Sequence, residues 1–171
     1  PTITSPVDVE VEATSMENNL VEFGFAEASD QVEISTITND APTVFPLGET
    51  IVTWTATDKF GNTSSSLQII SIQTCGNDPF SYNLIVGSED DDILIGTTLS
   101  DLIFANGGDD IISGDKGNDC IIAGDGDDII FGNQGNDNIS GQDGNDIIKG
   151  QSGEDFMFGG LGLDMIDGGD D

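Results

Sequence analysis

Nine aspartates recur every nine residues: Asp92, Asp101, Asp110, Asp119, Asp128, Asp137, Asp146, Asp155 and Asp164. A carboxylate is a hard oxygen donor, and its even repetition suits calcium, which takes six to eight oxygens. Glycine stands two residues before seven of these aspartates, at Gly108, Gly117, Gly126, Gly135, Gly144, Gly153 and Gly162. Glycine permits positive φ and close backbone approach, so carbonyl oxygens can turn toward a shared ion. One six-residue loop offers too few oxygens, so two stacked loops must share each ion. The expected ligands are Asp110, Asp119, Asp128, Asp137, Asp146, Asp155 and Asp164. They act with loop residues Gly108, Gly117, Gly126, Gly135, Gly144, Gly153, Asn106 and Gly124, for about five to seven calcium ions. Asp92 and Asp101 fall in units without the glycine, GSEDDDILI and GTTLSDLIF, which read as caps with doubtful metal sites.

Other chemistries fail on spacing or composition. An EF-hand loop opening at Asp125 would need glycine at Ile130 and glutamate at Asn136. A phosphate loop needs Lys followed by Ser or Thr, yet Gly117 and Gly150 follow Lys116 and Lys149. A glycosidase needs one carboxylate pair, not an even series. The chain has no histidine, which removes Ser-His-Asp and Cys-His sites and His-bearing zinc sites. No enzyme is expected.

The elements that must position the aspartates follow from the same period. Number each unit from Gly87 so that aspartate holds position six. Position eight is then Leu94, Ile103, Ile112, Ile121, Ile130, Ile139, Ile148, Met157 and Ile166. Positions seven to nine read as a short strand around an apolar core residue, and positions one to six as a turn. Two strands per coil give an 18-residue turn and two parallel sheets with rungs about 4.8 Å apart. Units n and n+2 then lie one above the other. The bridging pairs are Asp92/Asp110, Asp101/Asp119, Asp110/Asp128, Asp119/Asp137, Asp128/Asp146, Asp137/Asp155 and Asp146/Asp164. Bare carboxylates at that spacing repel by roughly 3 kcal/mol per pair at an effective dielectric of 20, before solvent screening. The calcium-free repeat is therefore expected to be largely disordered and the bound form folded. The pattern from residue 87 to 171 resembles the RTX family, whose GGxGxDxUx repeat binds calcium in a parallel β-roll. That resemblance implies secretion and an extracellular setting. Gly168, Gly169, Asp170 and Asp171 begin a tenth unit.

Residues 1–74 have a different character. Val7, Val9 and Val11 alternate with Asp8, Glu10 and Glu12, as in a half-buried strand. Further strands are expected at Val21–Phe25, Val32–Ile37, Thr50–Thr57 and Leu67–Ile72, separated by turns. Short strands so spaced predict an antiparallel sandwich. The stretch TVFPLGETIVTWTATDKFGN resembles the hyalin-repeat motif through Phe45, Pro46, Gly48, Thr50, Val52, Thr53, Thr55, Ala56, Asp58, Gly61 and Asn62. The resemblance implies an immunoglobulin-like sandwich and a role in adhesion or display. Ser5 and Ser66 stand where that family often carries a cysteine pair. The reading is thus all-β: an immunoglobulin-like sandwich over 1–74, a linker over 75–86 and a calcium β-roll over 87–171.

Thirty-three acids against three lysines give a formal net charge of -30. That sign argues against nucleic acid and anionic membranes as partners, and no apolar run is long enough to span a bilayer. No leader-like stretch opens the chain, so a mature form or an excised piece is expected. Position seven should face outward. In alternate units it reads Ile93, Ile111, Ile129, Ile147 and Met165, an apolar stripe suited either to ladder packing or to self-association. Cys75 and Cys120 are expected to tie the domains together, link subunits or remain free. Asn62 and Asn138 lie in glycosylation sequons. The sequence supports a secreted, calcium-dependent structural protein. It is read as a subunit of a filament or surface layer, a fragment of an adhesin, or the accessory end of a secreted hydrolase.

Overall fold

The computed structural model describes residues 1–16, 18–76 and 79–170. Asn77 and Asp78 of the expected linker, and Asp171 of the tenth unit, lie outside the described residues. The chain forms two compact units, Pro1–Gln73 and Thr74–Asp171.

In the first unit, β1 (Thr2–Thr4) pairs antiparallel with β3 (Glu27–Ser29). A second sheet runs β2 (Val9–Glu12), β6 (Thr63–Gln73), β5 (Gly48–Asp58) and β4 (Ile34–Asn39) in that order. The long β5–β6 hairpin supplies most of the core through alternating inward residues Val52, Trp54, Ala56, Ile70 and Ile72, joined by Phe45. Its turn is fixed by Asp58, whose carboxylate accepts from the Phe60 and Asn62 N–H groups and from Asn62 Nδ2. Val21–Phe25, expected as a strand, is irregular. The buried Gln68 amide takes over the ladder's work there: its Nε2 donates to the Val7 and Phe23 carbonyls, and its Oε1 accepts from Trp54 Nε1. Gly24 at φ +79° breaks the extended run. Ser5 and Ser66 meet hydroxyl to hydroxyl at 3.1 Å.

The second unit is a parallel β-solenoid of two five-stranded sheets. One stacks β8 (Ile93–Ile95), β10 (Ile111–Ser113), β12 (Ile129–Gln134), β14 (Ile147–Ser152) and β16 (Met165–Asp170). The other stacks β7 (Asn83–Val86), β9 (Asp101–Gly107), β11 (Cys120–Asp125), β13 (Asn138–Asp143) and β15 (Phe156–Leu161). Every rung lies 18 residues from its neighbour, as in Ile111 opposite Ile129 and Cys120 opposite Asn138. Position eight forms a dry column of fully buried isoleucines, Ile103, Ile112, Ile121, Ile130, Ile139 and Ile148, with Ala105 and Ala123 beside them.

The segment expected as a linker is more than one. Asn83–Val86 is a full rung, pairing Leu84-Ile85-Val86 with Leu102-Ile103-Phe104. These residues continue the nine-residue pattern one unit earlier, with Asn83 where later units carry aspartate. The apolar run wins a place on the sheet because its middle residue, Ile85, packs against the isoleucine column.

Candidate metal centre

The loops between strands bring the aspartates into two files, one along each edge of the roll. From Asp110 on, each position-six carboxylate reaches down one coil with its Oδ1, which accepts the backbone N–H of the aspartate below. The bonds run Asp92 to Asp110 (2.7 Å), Asp101 to Asp119 (2.8 Å), Asp110 to Asp128 (2.8 Å), Asp119 to Asp137 (2.9 Å), Asp128 to Asp146 (3.0 Å), Asp137 to Asp155 (2.9 Å) and Asp146 to Asp164 (3.1 Å). These are the n and n+2 pairs derived from the period.

The second oxygen of each carboxylate carries the chemical information. Oδ2 of Asp110, Asp119, Asp128, Asp137, Asp146 and Asp155 is buried and has no hydrogen-bond partner. A buried orphan carboxylate oxygen is costly unless a cation or a donor meets it. Oδ2 of Asp119 and the Gly132 carbonyl one coil up border the same space, the one a Cβ on Gly114 would take. Asp137 with the Gly150 carbonyl, and Asp155 with the Gly168 carbonyl, repeat that arrangement at Gly132 and Gly150. Among the described residues no three acidic or thiol side chains converge on a point. A bound cation would therefore draw its remaining oxygens from backbone carbonyls. A mixed set of carboxylate and carbonyl oxygens is what calcium takes, so the residues present fit it.

Burial pushes five of these acids up. Asp119 and Asp128 rise to about 7 and Asp137 to about 6, chiefly because desolvation penalises the anion, with neighbouring aspartates adding repulsion. Asp110 and Asp146 are raised for the same reason. The backbone N–H on each Oδ1 works in the opposite direction without overcoming burial.

Loop conformation explains the orphan oxygens. Position four is left-handed glycine throughout the later units, as in Gly126 at φ +133°, and a Cβ there would strike the Gly108 backbone. Gly108, Gly117, Gly135, Gly144 and Gly153 share the positive φ. Position two is left-handed as well, at Asn106 (φ 79°), Asp115, Gly124 (φ 121°), Asn133, Gln142 and Gln151. The Asn106 amide donates to the Gly87 carbonyl, and its own carbonyl abuts Gly124 above. Asn106 and Gly124 thus shape the turn through their backbone.

Asp92 and Asp101 also border a carbonyl, those of Ala105 and Gly114, but their carboxylates have donors from the protein. Oδ2 of Asp92 accepts from the Ser88 N–H and hydroxyl, and these bonds hold its carboxyl below the usual range. Asp101, fully buried, accepts from the Thr97 N–H and hydroxyl and from Asn83 Nδ2.

Sequence reasoning missed a second ladder at position five. Here the side chain points up: Asp91 accepts from the Asp109 N–H, Asp109 from Asp127, Asp127 from Asn145 and Asn145 from Leu163. Ser100, Asn118 and Asn136 do the same on the other edge. The recurrence of Asp, Asn and Ser at that position was its signal.

Of the outward stripe, Ile93 and Met165 are well exposed and Ile129 and Ile147 half-buried, with Ile111 between. Cys75 is disulfide-bonded to Cys120. Both belong to the second unit, so the bridge does not tie the two domains; it fastens the chain before β7 to the outer face of β11. Among the described residues no helix is long and apolar enough to cross a membrane.

Comparison with known proteins agrees with the geometry. The model of the RTX calcium-binding nonapeptide repeat (4 copies) matches residues 86–121, 114–148 and 140–171. No curated protein matches the chain. The three matches run without a gap over the solenoid and its aspartate files, half of the sequence, and the chain therefore belongs to the RTX calcium-binding nonapeptide repeat family.

Proposed function

We propose that this protein is an extracellular structural module whose second unit folds on binding about six calcium ions. The observation that carries this reading is the row of six buried, partnerless Oδ2 atoms. Each needs a cation or a proton, and six evenly stacked sites bordered by carbonyl oxygens suit a cation. Millimolar calcium outside cells fits a shared-loop site of modest affinity. The Cys75–Cys120 disulfide also favours an oxidising compartment. The role is structural rather than enzymatic, since the buried carboxylates sit in repeating loops rather than as one catalytic pair.

The first unit is read as an immunoglobulin-like, hyalin-repeat-like display domain. Two sheets, the motif in the β5–β6 hairpin and the apposed Ser5 and Ser66 support that reading. Self-association into a filament or surface layer is favoured over an adhesin fragment or a hydrolase end. The last coil exposes Leu161, Leu163, Met165 and Ile166, and the first leaves Ile93 and Ile95 in solvent. These apolar side chains offer a surface to another copy. The test is a calcium titration followed by circular dichroism, then electron microscopy of the calcium form. A strand-rich spectrum unchanged by EGTA sinks the calcium reading. Monodisperse particles in calcium sink self-assembly.

A further inference from the structure

The nine aspartates of the roll do not all ask for a metal. Oδ2 is a buried orphan in six of them, Asp110, Asp119, Asp128, Asp137, Asp146 and Asp155. In Asp92 and Asp101 the same oxygen is held by the protein itself. Ser88 N–H reaches Asp92 Oδ2 at 2.6 Å and the Ser88 hydroxyl at 2.8 Å. Thr97 N–H reaches Asp101 Oδ2 at 2.6 Å, while its hydroxyl lies 3.1 Å from Oδ1. Below them, Asn83 stands at the aspartate position of the preceding unit, and its amide donates to Asp101 Oδ1 at 2.6 Å. An amide donor there satisfies Asp101 from beneath without adding a negative charge.

The difference has a backbone cause. Later units hold position two in the left-handed region, with φ from 71° at Asp115 to 121° at Gly124. Ser88 and Thr97, at the same position, are absent from the left-handed set, and a β-branched residue such as threonine resists positive φ. Their N–H groups therefore stay aimed at the aspartate four residues on. The disulfide from Cys75 to Cys120 closes around this coil from outside, pinning the chain that leads into β7.

We infer that the first coil, residues 83–104, is a metal-independent cap in which Asn83, Ser88 and Thr97 stand in for cations, and on which the first calcium-dependent coil stacks. The backbone N–H groups of Asp92 and Asp101 in this cap hold Oδ1 of Asp110 and Asp119. Those two carboxylates are the first whose other oxygen lacks a partner. The need for metal above the cap rests on the calcium reading; the cap's independence of metal does not.

Amide hydrogen exchange of the oxidised full chain, in calcium and in EGTA, tests both parts separately. In EGTA, amides in 83–104 should exchange at least about tenfold more slowly than those in 129–165, and calcium should slow the latter. Exchange in 83–104 no slower than in 129–165 under EGTA overturns the cap. Exchange in 129–165 that ignores calcium overturns the calcium reading instead. Asn83→Asp and Thr97→Gly each remove one stand-in, so both variants should lose the EGTA protection of 83–104 and regain it in calcium. Protection in EGTA that survives both substitutions also overturns the cap, whether or not the variants bind calcium normally.

Discussion

A carboxylate in these loops has two oxygens with separate duties. Oδ1 is satisfied by the coil below, which leaves Oδ2 to set the metal requirement. Asp128→Asn keeps an oxygen for the Asp110 N–H but removes the anion. It should weaken the ion at that place by more than about tenfold, since even outer-shell changes cost about 10–100-fold in metal affinity. Titration calorimetry would report this as one site lost from the set; an unchanged isotherm would rule Asp128 out as a ligand. The raised acids also fix the sign of a pH effect. Asp119 and Asp128 titrate near 7 in the metal-free fold and near 3.8 when exposed. Protonation therefore stabilises the metal-free roll fully below about pH 4, and that contribution disappears as pH rises through about 6 to 7. Calcium needs the same oxygens bare, so it competes with protons. The calcium midpoint for folding should rise as pH falls from about 8 to about 6. A midpoint that stays constant across that interval would contradict the burial of these carboxylates.

Single elements here are too short to stand alone. A strand of three to seven residues in the roll gains its stability from the isoleucine column and from the rungs on either side. Ile130 is fully buried in that column. Ile130→Ala should cost about 2–5 kcal/mol, read as a lowered unfolding temperature in saturating calcium. Its neighbour on the outer face, Ile129, is only half-buried, and Ile129→Thr should cost much less. Equal losses at the two positions would reverse the assignment of faces. The disulfide acts on the same scale by closing a loop of 45 residues. Reduction should lower stability by about 4 kcal/mol through the entropy of the unfolded chain. Urea unfolding in calcium with and without reductant measures it.

For the molecule as a whole, a net charge of -30 is tolerable only if cations neutralise the aspartate files. The two units should respond to calcium differently. Trp54 is the only tryptophan, is buried in the first unit and hydrogen-bonds Gln68 there. EGTA should therefore remove strand signal from the circular dichroism spectrum while leaving tryptophan emission unchanged. A red shift of emission on chelation would mean that the first unit also depends on calcium. Magnesium should not replace calcium, because it demands a tight octahedral shell and releases its waters reluctantly.

The sequence by itself determined the roll. A period of nine with aspartate at position six and an aliphatic residue at position eight admits one register, and the partner rule between alternate units follows from two strands per coil. Each repeat is a local instruction given many times, so few tertiary facts were needed. Where the instruction was not repeated, the structure decided. Asn83-Leu84-Ile85-Val86 fell inside the stretch read as linker and carries asparagine at the aspartate position, yet the rung forms because Ile85 finds the core column. Val21–Phe25 carried strand residues, but a single buried glutamine replaced the ladder. Cys75 and Cys120 left three pairings open, because which sulfurs meet depends on the path of the chain before β7. The missing glycine already set Asp92 and Asp101 apart in sequence, but not what takes the metal's place there. Only the folded loops, left-handed in later units and carrying serine or threonine at position two in these, showed which carboxylates the protein satisfies alone, because that turns on where one backbone N–H points.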